Sequence, residues 1–158
     1  MVYRLCSIDS SSKSTGITLF INGKYSSSKL IQCNEKDIIE RMISMGEKIM
    51  TQLDDYYPDT IYIEEAAVIR NPETQRCLVR IQGIIISWCI QNHATFKFIR
   101  PAQWRALVGI KQGKKKRKEL KEEAVNKVKT ELNIETNDDV AESILIGIAA
   151  SMLIDKEN

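Results

Sequence analysis

Residues 5–20 read LCSIDSSSKSTGITLF, and the way this stretch folds decides the architecture. Leu5, Cys6 and Ile8 belong to an apolar run that ends on one acid, Asp9. Small hydroxyl residues follow, then Gly16 and a second apolar run. That order describes a strand over 2–9 that stops at a carboxylate and a second strand, about 15–21, that turns straight back beside it. Asn22-Gly23 then gives a strong hairpin signal. KYSSSKLIQC (24–33) is therefore a third strand, polar enough to be solvated on one face or to lie at an edge. A lone carboxylate does little chemistry, so the partners of Asp9 must come from the rest of the chain.

Working outward, NEKDIIERMISMGEKIMTQLDDYY (34–57) places apolar residues near helical period from Ile38 to Leu53, with Asn34 as the expected N-cap and Pro58 after its end. TIYIEE (60–65) is a short buried strand ending in acids. NPETQRCLVRIQGIIISWCIQN (71–92) is a helix with Pro72 near its start, where proline is tolerated. TFKFI (95–99) is a fifth strand, and Pro101 opens a short helical turn. KRKELKEEAVNKVKTEL (116–132) is a basic helix, and NDDVAESILIGIAASMLID (137–155) is an apolar one with an acidic first turn, which suits the helix dipole. Three strands, then strands alternating with helices, imply an α/β mixed sheet with the first three strands antiparallel and helices on its faces.

The chain has 158 residues, 43% hydrophobic and 28% charged, which suits one globular domain over residues 1–158. No stretch approaches the roughly 18 apolar residues that span a bilayer, so no membrane role is expected. The N-terminus lacks the layout of a secretory signal, which makes the cytosol the expected compartment (of the host or a viral factory, for a viral protein). Cys6, Cys33, Cys77 and Cys89 form no CxxC pair. They read as reduced, buried thiols, not as a zinc site. His93 is the one histidine, and with no nucleophile partner visible it is assigned no role.

Strand 60–65 ends at Glu64 and Glu65, and the last helix begins with Asp138, Asp139 and Glu142. Asp139 and Glu142 are three apart and share a helix face. If the first and fourth strands are parallel neighbours, Asp9 and Glu64 converge on the same spot. Clustered carboxylates repel and raise one another's pKa, and no basic residue adjoins these acids in sequence. Hard divalent cations would neutralise them, and all-oxygen ligands favour Mg²⁺ or Mn²⁺ over zinc. Two such ions about 4 Å apart hold the attacking and leaving oxygens in phosphodiester hydrolysis.

In order, SIDSSSKSTGITLF, IYIEEAAVIRN and NDDVAESILIGIA resemble the RuvC family of Holliday junction resolvases, especially its compact phage-type members, within the RNase H-like superfamily. RNPETQRCLVRIQGIII (70–86) resembles the family's helix after the second acid. The resemblance implies an RNase H-like fold and a structure-selective endodeoxyribonuclease that resolves four-way junctions by paired nicks. It maps the catalytic and metal-binding acids onto Asp9, Glu64, Asp139 and Glu142. Asp9 would bridge two Mg²⁺ ions, with Glu64 completing one site and Asp139 with Glu142 the other. Family members usually close with two aspartates, whereas this chain has Glu142. Asp138 is a reserve ligand and Glu65 an outer or solvated residue. Bacterial members carry an aromatic wedge after the second acid, where this chain has AAVIR (66–70), leaving Val68 or Ile69 as apolar substitutes.

Residues 111–121, KQGKKKRKELK, hold seven Lys/Arg against one Glu in a chain of net charge +2. Such a focused basic patch is a footprint for polyanions. Lys114, Lys115, Lys116, Arg117 and Lys118 are expected to contact DNA phosphates, joined by Arg70, Arg76 and Arg80. Trp88 and Trp104 could stack on bases but read better as core or interface residues. The helix at 71–92 is apolar on more than one face, which a two-fold homodimer would cover. Nucleases of RNA or RNA–DNA hybrid would share the sheet and the acids. Sugar-kinase-like ATPases resemble IDSSSKSTG but need a second domain. A non-catalytic DNA-binding module has no use for clustered acids.

Overall fold

The computed structural model describes residues 1–66 and 70–157. Its strands are β1 (Arg4–Asp9), β2 (Ser14–Ile21), β3 (Lys24–Gln32), β4 (Thr60–Glu64) and β5 (Thr95–Ile99). Its helices are α1 (Ile38–Tyr56), α2 (Pro72–Asn92), α3 (Pro101–Leu107), α4 (Arg117–Leu132) and α5 (Asp138–Glu157). The five strands form one sheet in the order β3-β2-β1-β4-β5. β1 to β3 are antiparallel, while β4 runs parallel to β1 and β5 parallel to β4. This is the mixed α/β sheet expected from the sequence, with polar β3 at one edge.

Local chemistry explains the turns. Asn22 and Gly23 both have positive φ, the backbone that joins two strands in a tight primed turn. Asn22 also exchanges bonds with Tyr3, its N–H to the Tyr3 carbonyl at 2.9 Å and its Oδ1 from the Tyr3 N–H at 2.8 Å. The N-cap of α1 is Asp37, not the expected Asn34. Asp37 Oδ1 accepts the N–H groups of Ile39 and Glu40, each at 2.9 Å, so Asn34, Glu35 and Lys36 stay in the connection. Asn71 caps α2 in the same way, ahead of Pro72. His93 takes the left-handed C-cap position of α2.

Alternation along the strands divides the core into two layers. Cys6, Ile8, Ile17, Leu19, Ile61 and Ile63 face α1 and α2. Leu5, Phe20, Tyr62 and Ile99 face α3, α4 and α5. Ser7 and Asp9 share the parity of Leu5 and so point toward α5.

Helix α5 lies on β1 and β2 at backbone distance. A Cβ on Gly16 would sit 2.2 Å from the Asp139 carbonyl oxygen. A Cβ on Gly147 would sit 2.1 Å from the Phe20 ring and 2.6 Å from Ser7 Oγ. A buried polar seam reinforces the contact. Ser7 Oγ donates to the Ser143 carbonyl at 2.6 Å. Ser143 Oγ spends its hydrogen on the Val140 carbonyl at 2.8 Å. Thr18 must therefore donate to Ser143 (2.7 Å), and Ser28 to Thr18 (2.9 Å). Each of these four hydroxyls is satisfied, as burial requires.

Gly16→Ala is expected to lift the start of α5 off the sheet. Overpacking against backbone should cost about 1–3 kcal/mol, read as a lower urea midpoint.

Candidate active site

The pairing of β1 with β4 brings their C-terminal ends together, with Ile8 opposite Ile63, so Asp9 and Glu64 follow side by side. Both point toward α5, whose first turns carry Asp139 and Glu142. Asp9, Glu64 and Glu142 each place a carboxylate oxygen within 4.8 Å of the others'. Glu142 is buried at 4% exposure, and Asp9 and Glu64 are half-buried. Three acids from three separate elements thus share one small, partly dry volume.

Asp139 stands beside this trio. Its Oδ2 accepts a hydrogen bond from Ser14 Oγ at 2.5 Å, and Lys121 Nζ lies 3.9 Å from its Oδ1. Asp138 is turned to Lys121, which bonds it directly; that ion pair occupies the residue expected as a reserve ligand. Glu65 accepts from Arg100 Nε at 3.3 Å and is exposed, in line with an outer role.

The electrostatics follow from burial and crowding. Burial, then the charges of Glu64, Glu142 and Asp139 and a hydrogen bond with Glu142, hold Asp9 well above the usual carboxylate range. Burial pushes Glu64 up to about 7, with Glu142 adding to the push, while the Trp104 N–H and the guanidiniums of Arg105 and Arg117 oppose it. Burial raises Glu142 as well, against Lys121, the Asp9 hydrogen bond and Arg105. Burial is the largest single influence on Asp138 and would raise it, but the hydrogen bond and charge of Lys121, together with backbone N–H groups, outweigh it and hold Asp138 below its ordinary value. An oxygen-only cluster that resists ionisation is what a hard divalent cation relieves, since the ion supplies the missing positive charge.

A model of the family described as crossover junction endodeoxyribonuclease RuvC matches residues 5–149. The chain belongs to the RuvC family. Its fold is similar to Thermus thermophilus RuvC in complex with Holliday junction substrate, with a TM-score of 0.76 at 12% identity over 98% of this chain and 96% of that one. It is also similar to the yeast mitochondrial Holliday junction resolvase Ydc2, with a TM-score of 0.64 at 15% identity over 98% of this chain and 81% of that one. No curated protein sequence matches significantly.

RuvC membership agrees with the ordered acidic motifs, and the structure adds residues that the motifs did not reveal. Trp104, completely buried, donates its indole N–H to Glu64 Oε2 at 2.6 Å. Gln82 donates to the Glu64 backbone carbonyl at 2.9 Å. Ser14, Lys121 and Arg105 approach the acids from β2, α4 and α3. Lys121 belonged to the basic run, yet nothing in its sequence surroundings separated it from its neighbours. The core reading of both tryptophans holds, and Trp88 gives its N–H to Asp54 at 2.7 Å.

Lys114, Lys115, Lys116, Arg117 and Lys118 are exposed where the chain enters α4. Lys115 pairs with Glu123 at 2.6 Å and Lys118 approaches Glu122 at 3.9 Å. Among the described residues, Lys114, Lys116 and Arg117 make no ion pair. Arg70 and Arg76 are exposed just before and within the start of α2. Val68 and Ile69 lie outside the described residues.

A pH dependence follows. Acids with folded pKa values above their unfolded values near 4 stabilise the fold fully below the unfolded value. That stability is lost as pH rises through the folded values, near 7 for Glu64. The melting temperature of the metal-free chain should therefore fall between about pH 5 and pH 7.5, and millimolar Mg²⁺ should abolish the fall. A melting temperature that is flat without metal would contradict the cluster.

Proposed function

We propose that this RuvC-family nuclease resolves four-way junctions, and other branched DNA, by Mg²⁺-dependent hydrolysis with paired nicks. The observation that carries the reading is the convergence of Asp9, Glu64 and Glu142 inside a family of crossover junction endodeoxyribonucleases. Asp9, Glu64, Asp139 and Glu142 would hold two Mg²⁺ ions, for which Mn²⁺ would substitute. Such ions supply an activated water and neutralise charge at the scissile phosphate.

The chain's own residues do the rest. Asp9 and Glu64 are set by adjacent strand ends, so their separation is held by ladder hydrogen bonds. Glu142 is held by the seating of α5. Ser14 orients Asp139 through its hydroxyl. Lys114, Lys116 and Arg117 bind phosphates as charges, with Lys115, Lys118, Arg70 and Arg76 extending the track. These contacts position DNA without reading sequence. Arg117 also sits close enough to Glu64 to act on its charge, so the DNA track and the acids occupy one end of the sheet.

The pairing of nicks rests on a proposed homodimer. α2 buries Cys77, Ile81, Ile85 and Trp88 but leaves Val79 and Ile90 at 52% and 68% exposure. Phe96 and Phe98 are also exposed, on edge strand β5. The two-fold symmetry of a four-way junction suits an isologous pair built on this face. Residues 1–158 are proposed to act as one nuclease domain. Its place of work is proposed as the cytoplasm, since all four cysteines are free and buried, as suits a reducing compartment. Among the described residues, no helix is long and apolar enough to cross a membrane.

The deciding experiment offers a synthetic four-way junction, linear duplex, RNA–DNA hybrid and single strands, with Mg²⁺, Mn²⁺ or EDTA. Symmetric paired nicks in the junction are expected, lost in EDTA and lost in Asp9→Asn with binding retained. Cleavage of hybrid alone would transfer the function to RNA. For the dimer, sedimentation should give two copies for the native chain and one for Ile90→Glu, with unchanged circular dichroism.

A further inference from the structure

Glu64 is gripped at both ends. Its backbone carbonyl accepts from Gln82, which is 5% exposed, at 2.9 Å. Its side-chain Oε2 accepts from Trp104, which is completely buried, at 2.6 Å. An indole is a donor only, so it holds one carboxylate oxygen and has no second bonding mode. Arg105 lies 5.0 Å from the Trp104 ring centroid, within cation–π range, which helps fix the ring's place. A glutamate side chain otherwise has several rotatable bonds and can offer one oxygen or two. Here one oxygen is already engaged by a short, charge-assisted hydrogen bond, the stronger kind.

Building on the metal-site reading above, we propose that Trp104 is a positioning residue that commits Glu64 to one-oxygen ligation. It thereby selects small octahedral cations over calcium. Mg²⁺ demands near-ideal octahedral geometry at about 2.0–2.1 Å, whereas Ca²⁺ takes about 6–8 oxygens and readily uses both oxygens of one carboxylate. Oε2 is shared with the indole, so Oε1 is the oxygen left wholly to the ion, and a two-oxygen grip would have to divide Oε2 between the ion and the Trp104 N–H. The role belongs to the N–H and not to the ring's bulk, which separates it from simple core packing.

The test uses the full chain and two readouts besides cleavage. The chain has two tryptophans, so a ¹⁵N spectrum shows two indole N–H signals, and Trp104→Phe identifies one of them. That signal is expected to shift as Mg²⁺ is added, with the Trp88 signal unmoved. In calorimetry, Trp104→Phe should bind Mg²⁺ about tenfold more weakly, the usual scale for losing a group that orients a ligand. Ca²⁺ binding should hold or tighten, so the preference between the two ions falls. Equal weakening of both ions would overturn the proposal and leave Trp104 a packing residue. A Trp104 signal that stays still while calorimetry shows Mg²⁺ binding would also overturn it, and if Trp104→Phe fails to fold, Trp88→Phe assigns the two signals instead. A native chain that binds neither ion would instead bring down the metal-site reading itself.

Discussion

The carbonyl of Asp139 lies where a side chain on Gly16 would have to be. This contact between α5 and the β1–β2 hairpin sets the height of the whole acidic turn above the sheet. Gly147, about two turns further along α5, lets Phe20 and Ser7 come equally close. Between these two points the Ser7, Ser143, Thr18 and Ser28 hydroxyls bond across the interface. Apolar packing alone would tolerate sliding, because it is non-directional. Close backbone approach and directional bonds do not. Glu142 therefore meets Asp9 at a fixed distance.

That precision assembles something unfavourable. Burial raises the pKa of all three carboxylates, the charges of Glu64 and Glu142 add to it at Asp9 and that of Glu142 at Glu64, and the fold bears the cost as repulsion or as retained protons. The surrounding cations relieve it in part. Lys121 is committed mainly to Asp138, while Arg105 and Arg117 act on Glu64 from a distance. Such stored tension is a common property of sites arranged for charged ligands. The same arrangement explains why the basic residues divide in two. Lys121 serves the acids, and Lys114, Lys116 and Arg117 make no ion pair among the described residues.

The two faces of the sheet do different work. The α5 face carries the acids and the polar seam, and its partners are held by named hydrogen bonds. The α1–α2 face is apolar, and its exposed residues extend onto α2 and edge strand β5. An edge strand with uncovered aromatics is a hazard unless something covers it. The proposed second copy would do so.

Strands and helices were legible in the sequence because their signals are local. The Asn22-Gly23 turn, the period of α1 and the proline opening α2 each act within a few residues. The acids that the fold brings together were legible as candidates, since Asp9 and Glu64 terminate strands and Glu142 lies in the first turns of α5. The cap of α1 was misplaced by three residues, because Asn34 and Asp37 are equally good caps and only backbone geometry chooses between them. Other features depended on contacts between distant segments. Trp104 looks like core in sequence and is core, yet its single polar atom meets a carboxylate forty residues away. Lys121 meets Asp138, and Ser14 meets Asp139, across spans of 17 and 125 residues. The sequence by itself determined which elements form and which residue types could do chemistry, because propensity and periodicity are short-range. Only the tertiary structure decided which acids share a volume and which cations neutralise them, because charge and hydrogen bonding depend on distance in space and not along the chain.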